Sequence, residues 1–419
     1  MLMRINRKIY LDRLISRIGN GMIKVVTGVR RSGKSYLLFN IFSDYLKLRG
    51  TDDSHIIAIK LDDWENHALC DPDSLYSYVK SRVVDNKEYF LLLDEIQLVP
   101  QFEFVLNGLH SLPCVDIYVT GSNAKFLSKD IITEFRGRGD EIKIRPLSFS
   151  EYMSVYVGDR FTALNEYMTY GGLPQIVSFS TEEQKSEYLK GLFTETYLRD
   201  ITERYGVRQD GELAELVNTI ASSIGGLTNP ARLANTFESV KNVRISPNTV
   251  KLYLDYLCDS FLVEQAMRYD VKGRKYIGSP SKYYFVDCGL RNARLNFRQL
   301  EMTHLMENVI YNELRVRGFN VDVGCVVSRE TDVSGKRVQR QLEVDFVCNQ
   351  GSRRYYVQSA YRLGSDDKER QEKSSLINIG DSFKKIIITG EPGLIQRDEY
   401  GITTISVYDF LLRQDSLEL

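Results

Sequence analysis

The sequence predicts an α/β protein whose first part contains a parallel sheet, followed by further domains. Short apolar runs rich in β-branched residues recur along the chain, and segments with helical apolar spacing lie between them. Two of the early runs end in small or acidic residues of the kind found at the carboxyl edge of such a sheet. The chain has 419 residues, which is enough for two to four domains.

The first motif is Gly-Val-Arg-Arg-Ser-Gly-Lys-Ser at 28–35, which fits the P-loop pattern G-x-x-x-x-G-K-[ST]. An apolar run at 23–26 predicts a buried strand before it, and helical spacing over 36–46 predicts a helix after it. Backbone N–H groups at the start of such a helix surround phosphates, so we predict that ATP binds here. The predicted cofactor-binding residues are Gly28, Val29, Arg30, Arg31, Ser32, Gly33, Lys34, Ser35 and Tyr36.

Four residues of this loop have individual predicted roles. Lys34 is expected to reach the β- and γ-phosphates of ATP, and the Ser35 hydroxyl is expected to ligate Mg²⁺. Gly28 and Gly33 permit the tight backbone that must approach the phosphates closely.

The second motif follows an apolar run at 89–93 and consists of Asp94 and Glu95. An apolar strand ending in Asp-Glu, about sixty residues after a P-loop, resembles a Walker B element. Asp94 is expected to hold Mg²⁺ through water, and Glu95 is expected to act as the general base toward the attacking water.

Three further catalytic candidates are predicted from their positions. The run at 115–119 ends near Ser122 and Asn123, either of which could orient the water, whereas an ordinary turn with a helix cap is the alternative. Arg138 follows a predicted helix at 124–135, where ring-forming P-loop ATPases place an arginine finger. It could stabilise γ-phosphate charge in its own chain or a neighbouring one, and an ordinary surface arginine is the alternative.

These motifs resemble those of a known family, the prokaryotic AAA-type predicted ATPases with a C-terminal domain of unknown function. The resemblance rests on the P-loop, Leu-Asp-Glu-Ile-Gln at 93–97, Thr-Gly-Ser-Asn at 120–123 and Gly-Arg before Pro-Leu-Ser. It continues through Tyr-Gly-Gly-Leu-Pro at 170–174, Tyr-Leu-Arg-Asp at 197–200 and Glu-Val-Asp-Phe-Val at 343–347. It implies an AAA fold, ATP and Mg²⁺, but no settled biological role.

Four domains are predicted along the chain. They are a P-loop AAA-type ATPase domain at 1–148, a helical lid at 149–205, a winged-helix-like domain at 206–280 and a restriction-endonuclease-like domain at 281–419. The lid assignment rests on helical spacing broken by glycine and proline at 171–174.

The winged-helix prediction raises the question of DNA binding. Three predicted helices precede two strands, with Lys272 and Arg274 at the turn between the strands. DNA binding would place Asn248, Thr249 and Lys251 in a major groove. Residues 206–280 hold nine Lys and Arg against eight Asp and Glu, a net charge of +1. A dedicated DNA-binding domain is usually more basic, so a protein partner is the alternative.

The last domain carries part of a nuclease pattern. Glu307 on a predicted helix and Asp345 on a predicted strand fit the acids of a metal-dependent nuclease. Gln358 and Ala360 stand where a further acid and a lysine are required. We therefore predict that the fold is retained without nuclease activity, although Glu343 and Asp345 share a strand face and leave a residual metal site open.

Composition limits the function further. The net charge of −1 gives no overall attraction to nucleic acid or anionic membranes, and no apolar run has the length of a transmembrane helix. Six scattered cysteines and a charged N-terminus favour a cytoplasmic protein with reduced thiols and no signal peptide.

The sequence thus predicts a Mg²⁺-dependent AAA-type ATPase that couples its nucleotide state to a winged-helix and C-terminal module for a DNA or protein partner. The sequence leaves open whether the protein forms a homo-oligomer, and it predicts no membrane partner. The alternative is a slow nucleotide switch, a regulator or defence component that binds DNA or protein in its ATP state. An ATP-gated nuclease is a third hypothesis, which the missing lysine disfavours.

Overall fold

The computed structural model of the chain describes residues 5–121, 135, 137–207, 210–241, 244–331 and 337–419. The chain forms two compact units. The first unit comprises Met1–Leu147, Leu173–Gln175 and Asp259–Phe261, and the second comprises Ser148–Gly172, Ile176–Cys258 and Leu262–Leu419. Among the described residues, no helix combines the length and apolarity needed to span a bilayer.

The first unit is built on a five-stranded parallel sheet. Its strands are Ile23–Gly28 (β1), Ile56–Lys60 (β2), Tyr89–Asp94 (β3), Val115–Thr120 (β4) and Gly139–Ile144 (β5). Their order in the sheet is β2-β3-β4-β1-β5, and all neighbours pair in parallel. Strands β1, β3 and β4 are buried along their whole length, as expected for central strands covered on both faces.

Helices cover both faces of this sheet. The described α-helices of the unit are Lys8–Ile15 (α1), Lys34–Tyr36 (α2), Ser43–Leu48 (α3), Pro72–Arg82 (α4) and Phe102–His110 (α5). A π-helical segment, Leu37–Phe42, joins α2 to α3, so helical backbone continues through the segment predicted as one helix. Val25 packs in the apolar cluster that contains α4 and α5, whereas Val26 packs with α1 and α3, following the alternation of a strand.

The arrangement of the strands brings the two predicted motifs to one edge. The carboxyl ends of parallel strands meet at the same edge, with Val26 opposite Thr120 and Leu93 opposite Val119. Strand β4 lies between β1, which leads into the P-loop, and β3, which ends in the two acids. The predicted α/β fold with a parallel sheet is confirmed.

The second unit contains an eight-stranded mixed sheet among its described residues. The strands are Val263–Asp270 (β6), Lys275–Phe285 (β7), Asn320–Thr331 (β8), Arg337–Gln350 (β9), Arg353–Ala360 (β10), Lys384–Thr389 (β11), Gln396–Arg397 (β12) and Ile402–Ser406 (β13). Their order is β12-β13-β11-β10-β9-β8-β6-β7.

Helices precede this sheet and flank it. Those described are Phe149–Met153 (α6), Arg160–Tyr170 (α7), Glu182–Gly191 (α8), Arg199–Tyr205 (α9), Asp210–Ser222 (α10), Pro230–Lys241 (α11), Pro247–Asp259 (α12), Cys288–Arg294 (α13), Met302–Val316 (α14), Asp366–Ile377 (α15) and Val407–Leu412 (α16). Leu305 and Ile310 of α14 pack in one apolar cluster with Val323 and Phe346 of the sheet.

One predicted boundary differs from the structure. The predicted wing is the hairpin of β6 and β7, and β6 pairs in parallel with β8 at Arg268 and Val323. The hairpin is therefore part of the same sheet as the C-terminal strands, and the boundary predicted at residue 280 falls inside β7. The reason is that the pairing of β6 with a strand far along the chain leaves no pattern in the sequence of the β6–β7 hairpin. The division into four domains otherwise stays a prediction.

Candidate active site

The P-loop begins where β1 ends and turns back tightly into α2. The backbone has φ 138° at Gly28 and φ 89° at Gly33, values that favour glycine. A Cβ atom on Gly28 would lie 2.1 Å from the carbonyl oxygen of Ile144 on β5, so no larger residue fits there. The loop thus owes its shape to the two glycines that the motif requires.

Lys34 carries the positive charge of the loop into a buried position. Its side chain is 5 % exposed, and Nζ donates hydrogen bonds to the carbonyl oxygens of Gly28 at 3.0 Å and Val29 at 3.1 Å. Burial lowers the pKa of Lys34 to about 8, whereas the nearby charges of Glu95 and Asp94 oppose that change. The ammonium therefore lies in the electrostatic reach of both acids.

Asp94 and Ser35, the two predicted Mg²⁺ ligands, come together in the structure. Asp94 is 2 % exposed at the end of β3, and its carboxylate accepts hydrogen bonds from the hydroxyl groups of Ser35 and Thr120. Burial raises the pKa of Asp94, and the two hydrogen bonds oppose the rise. A carboxylate beside a hydroxyl is a donor set that fits Mg²⁺, which takes few protein ligands and completes its shell with water and phosphate oxygens.

Glu95 lies directly beyond Asp94 in a left-handed backbone conformation with φ 50°. Its N–H donates to Thr120 Oγ1 at 3.1 Å, and its Oε2 accepts a hydrogen bond from Gln97 Nε2. Since Thr120 also donates to Asp94, one fully buried hydroxyl links both acids. The sequence alone indicates no role for Thr120 or Gln97, although Thr120 opens the motif at 120–123 and Gln97 ends the one at 93–97.

The remaining P-loop residues divide by exposure. Val29 and Ser32 are buried, whereas Arg31 and Tyr36 are exposed and Arg30 is half-buried. The Oγ atom of Ser32 is buried without a hydrogen-bond partner in the described part of the protein. An orphaned polar atom in the loop fits a site that a polar ligand completes.

Of the other three catalytic candidates, the structure describes Arg138. Ser122 and Asn123 lie outside the described residues, so their roles remain predictions. Arg138 is exposed, and its carbonyl oxygen accepts a hydrogen bond from the N–H of Ile23 at 2.8 Å. Ile23 begins β1, whose six residues span roughly 17 Å before the P-loop. Arg138 therefore lies at the edge of the sheet opposite Lys34 of the same chain.

Comparison with known proteins identifies the family. Residues 20–153 match a family model described as an AAA domain, and residues 161–301 match a domain of unknown function. An uncharacterized protein of Haemophilus influenzae is 34 % identical over 415 residues, covering 98 % of this chain and 99 % of its own length. The chain belongs to this family of AAA-domain proteins. An uncharacterized protein of Methanocaldococcus jannaschii is 31 % identical over 382 residues, covering 88 % of this chain and 80 % of its own.

Solved structures show weaker similarity to this AAA-domain protein. The Orc1 protein of Aeropyrum pernix, solved in complex with DNA, is 13 % identical and covers 70 % of this chain and 93 % of its own, with a TM-score of 0.30. Protein VC1899 of Vibrio cholerae is 11 % identical and covers 95 % and 98 %, with a TM-score of 0.21. Similarity at these scores supports no argument about function.

A second charged cluster lies in the second unit of the AAA-domain protein, around Lys282 of β7. Its side chain is 3 % exposed, and Nζ lies 2.8 Å from a carboxylate oxygen of Glu307 and 2.8 Å from one of Glu343. A third oxygen, on Asp345, lies 3.5 Å away. Tyr284 Oη donates to Glu307 at 2.7 Å. The structure thus brings Glu307 and Asp345 together as predicted, but around a lysine that sequence analysis missed.

Asp345 forms hydrogen bonds with the neighbouring strand and interacts electrostatically with Lys282. The Ser359 N–H donates to Asp345 Oδ2 at 2.8 Å, and the Asp345 N–H donates to the Gln358 side-chain oxygen at 3.3 Å. Burial raises the pKa of Asp345 to about 7, an effect that Lys282 opposes. Among the residues that the structure describes, no group of three or more His, Cys, Asp or Glu side chains is arranged to hold a metal ion.

The residues predicted to face DNA lie at the surface of the second unit. Asn248 and Lys251 of α12 are exposed, as is Arg274 in the hairpin. Lys272 Nζ donates to the carbonyl oxygen of Val327 at 2.9 Å. Their exposure is compatible with a nucleic-acid or a protein partner and does not distinguish between them.

Proposed function

We propose that this AAA-domain protein binds ATP with Mg²⁺ and hydrolyses it at the carboxyl edge of the first sheet. The observation that carries the proposal is the convergence of Lys34, Ser35, Asp94 and Glu95 from two motifs sixty residues apart. The Thr120 hydroxyl donates to the Asp94 carboxylate and accepts from the Glu95 N–H, which ties β4 to the end of β3. Such a constellation matches the parts that phosphoryl transfer to water requires.

Each of these side chains has a role in the proposed reaction. The backbone N–H groups of the P-loop bind the phosphates, and Lys34 offsets the charge that develops on them. Ser35 and Asp94 are the residues that would hold Mg²⁺, which when bound neutralises phosphate charge. Glu95 accepts the proton of the water that attacks the γ-phosphate.

The partner of the second unit is part of the same proposal. We propose that nucleotide state controls a partner-binding module made of the winged-helix-like and C-terminal regions. The modest net charge of +1 over 206–280 favours a protein or a weakly held nucleic-acid backbone over a dedicated DNA-reading domain. Comparing the ATP hydrolysis rate with and without duplex and single-stranded DNA distinguishes these partners, because a coupled DNA partner changes the rate.

We further propose that the second unit does not cut DNA. Metal-dependent cleavage needs acids free to hold a cation, but here the ammonium of Lys282 pairs with Glu307, Glu343 and Asp345. The ammonium therefore occupies the space between the carboxylates where a cation would bind, and it offsets one of their three charges. An assay on supercoiled, linear and single-stranded DNA with Mg²⁺ or Mn²⁺ tests this proposal, and cutting that disappears in Asp345→Ala would contradict it.

Substitution of Lys34 tests the ATPase proposal. Lys34→Ala should abolish ATP binding and hydrolysis, because the ammonium beneath the loop is the cation that meets the phosphates. The measurements are binding of a fluorescent ATP analogue and release of phosphate. Lys47→Ala is the matched control, since Lys47 is exposed on α3 and pairs with Asp53. Wild-type affinity and rate in Lys34→Ala would refute the assignment of the site.

A further inference from the structure

Gln97 lies two residues beyond Glu95 and contacts its carboxylate. Glu95 immediately precedes the short 3₁₀ turn Ile96–Leu98, and Gln97 is the middle residue of that turn. Gln97 Nε2 donates a hydrogen bond to Glu95 Oε2. Ile96 is fully buried and anchors the turn in the core, so the amide and the carboxylate are held by one fixed stretch of backbone.

The other end of the amide has no structural use among the residues described. Gln97 Oε1 is buried and lacks a hydrogen-bond partner in that part of the protein. Burying an unsatisfied acceptor costs stability. If the role of this residue were only structural, an apolar side chain would make the folded protein more stable. A polar group kept at such a cost next to a general base points to a role in the reaction.

We propose that Gln97 is a positioning residue for ATP hydrolysis, whose amide holds the Glu95 carboxylate in the direction from which it meets the attacking water. This inference rests on the proposed ATPase function. Glu95 stands just before the turn in a left-handed backbone conformation, and Gln97 donates to its carboxylate from within that turn. A hydrogen bond of this kind fixes the direction of a catalytic group, as second partners commonly do.

Variants of Gln97 separate orientation from folding and binding. Gln97→Met keeps the length of the side chain and removes the donor. It should slow hydrolysis about tenfold, the loss expected for one hydrogen bond to a charged group. ATP affinity should be unchanged, because in the described part of the protein the Gln97 amide donates to Glu95 and to none of the P-loop residues or Mg²⁺ ligands. Gln101→Ala is the control, since Gln101 is exposed in the next turn and also has a positive φ.

A double-mutant cycle tests whether Gln97 acts through Glu95. Glu95→Asp retracts the carboxylate by one methylene and should abolish its contact with the amide. Adding Gln97→Met to Glu95→Asp should then cause no further loss, whereas independent effects would add. The measured quantity is the single-turnover hydrolysis rate with protein in excess over ATP, with affinity measured separately.

The outcomes distinguish this inference from the function on which it rests. A wild-type rate in Gln97→Met, a parallel loss of ATP affinity, or full additivity with Glu95→Asp would overturn the positioning role alone. If the wild-type protein shows no ATP hydrolysis that Lys34→Ala abolishes, the ATPase proposal and the inference are overturned together. A slower Gln97→Met with unchanged affinity and no additivity supports both.

Discussion

At the residue scale, Thr120 connects the Asp94 carboxylate to the backbone of Glu95. Its hydroxyl donates to Asp94 and accepts from the backbone of Glu95, and both bonds lie in the buried space between β3 and β4. A carboxylate that must ligate Mg²⁺ gains from a fixed orientation, because the ion demands near-ideal geometry.

Replacing Thr120 by valine should raise the Mg²⁺ concentration that hydrolysis requires. Thr120→Val keeps the shape and removes both hydrogen bonds, so half-maximal activity should need about 10–100-fold more Mg²⁺, as is typical when outer partners of metal ligands are lost. Thr120→Ser should stay near wild type. The measurement is the hydrolysis rate as a function of Mg²⁺ concentration.

Thr27→Val provides the control for that experiment. Thr27 is also a buried threonine of this sheet, but its hydroxyl donates to Glu141 at 2.5 Å and forms no hydrogen bond with Asp94 or Glu95. It should leave the Mg²⁺ requirement unchanged. An equal Mg²⁺ requirement in Thr120→Val and wild type would mean that the hydroxyl serves the fold alone.

At the element scale, the cluster around Lys282 should make stability depend on pH. Asp345 has a pKa of about 7 in the folded protein, against 3.8 as its ordinary value, chiefly because it is buried. Between these values the folded state binds more protons than the unfolded state. Stability should therefore fall as pH rises from about 4 to 7 and change little above that range through this group.

Asp345→Asn should remove this part of the pH dependence. The amide can still accept the Ser359 N–H but does not titrate. The measurement is the urea midpoint from pH 4 to 9 for wild type and variant, with Asp367→Asn, at an exposed helix position, as the control. An identical slope in Asp345→Asn and wild type would show that Asp345 does not titrate with an elevated pKa.

Elements with local signals were predictable from the sequence, whereas those that depend on distant pairing were not. The P-loop, β1 and β3 follow from continuous apolar runs that end in fixed motifs, and the structure places them accordingly. Lys282 reaches Glu307 and Asp345 only because α14 and β9 fold beside β7, so its role left no local pattern. The one local sign of this role is Lys282 itself, a charged residue within the buried end of β7 at 281–285.

Thr120 and Gln97 were missed for a different reason. Their segments were recognised, but a hydroxyl or an amide shows no preference for a partner until the strands are in register. The predicted boundary at residue 280 falls inside β7 for the same physical reason, since the hairpin joins a sheet whose other strands come later in the chain.

At the scale of the whole molecule, the position of Arg138 bears on assembly. Its backbone pairs with the start of β1, at the edge of the sheet away from Lys34 of its own chain. A catalytic role for Arg138 would therefore require the active site of a neighbouring copy.

Mixing two inactive variants tests that role. Arg138→Ala should slow hydrolysis without weakening ATP binding, and Lys34→Ala should bind no ATP. In a mixture, an active site of the Arg138→Ala chain can receive the intact arginine of a Lys34→Ala neighbour, so part of the activity should return. The controls are Arg138→Ala alone and Lys34→Ala alone, each at the same total protein concentration as the mixture. No recovery, together with a monomeric mass in the presence of ATP, would exclude the role between chains.

The central claim is that Glu95 is the base of a Mg²⁺-dependent ATP hydrolysis at the P-loop. Glu95→Gln keeps the shape of the side chain and leaves Asp94, Ser35 and Lys34 in place. The direct measurement compares ATP affinity and single-turnover hydrolysis in Glu95→Gln, wild type and Glu65→Gln, an exposed glutamate that serves as control. We predict wild-type affinity with hydrolysis lowered roughly 10²–10⁴-fold in Glu95→Gln. An unchanged rate in that variant would contradict the account.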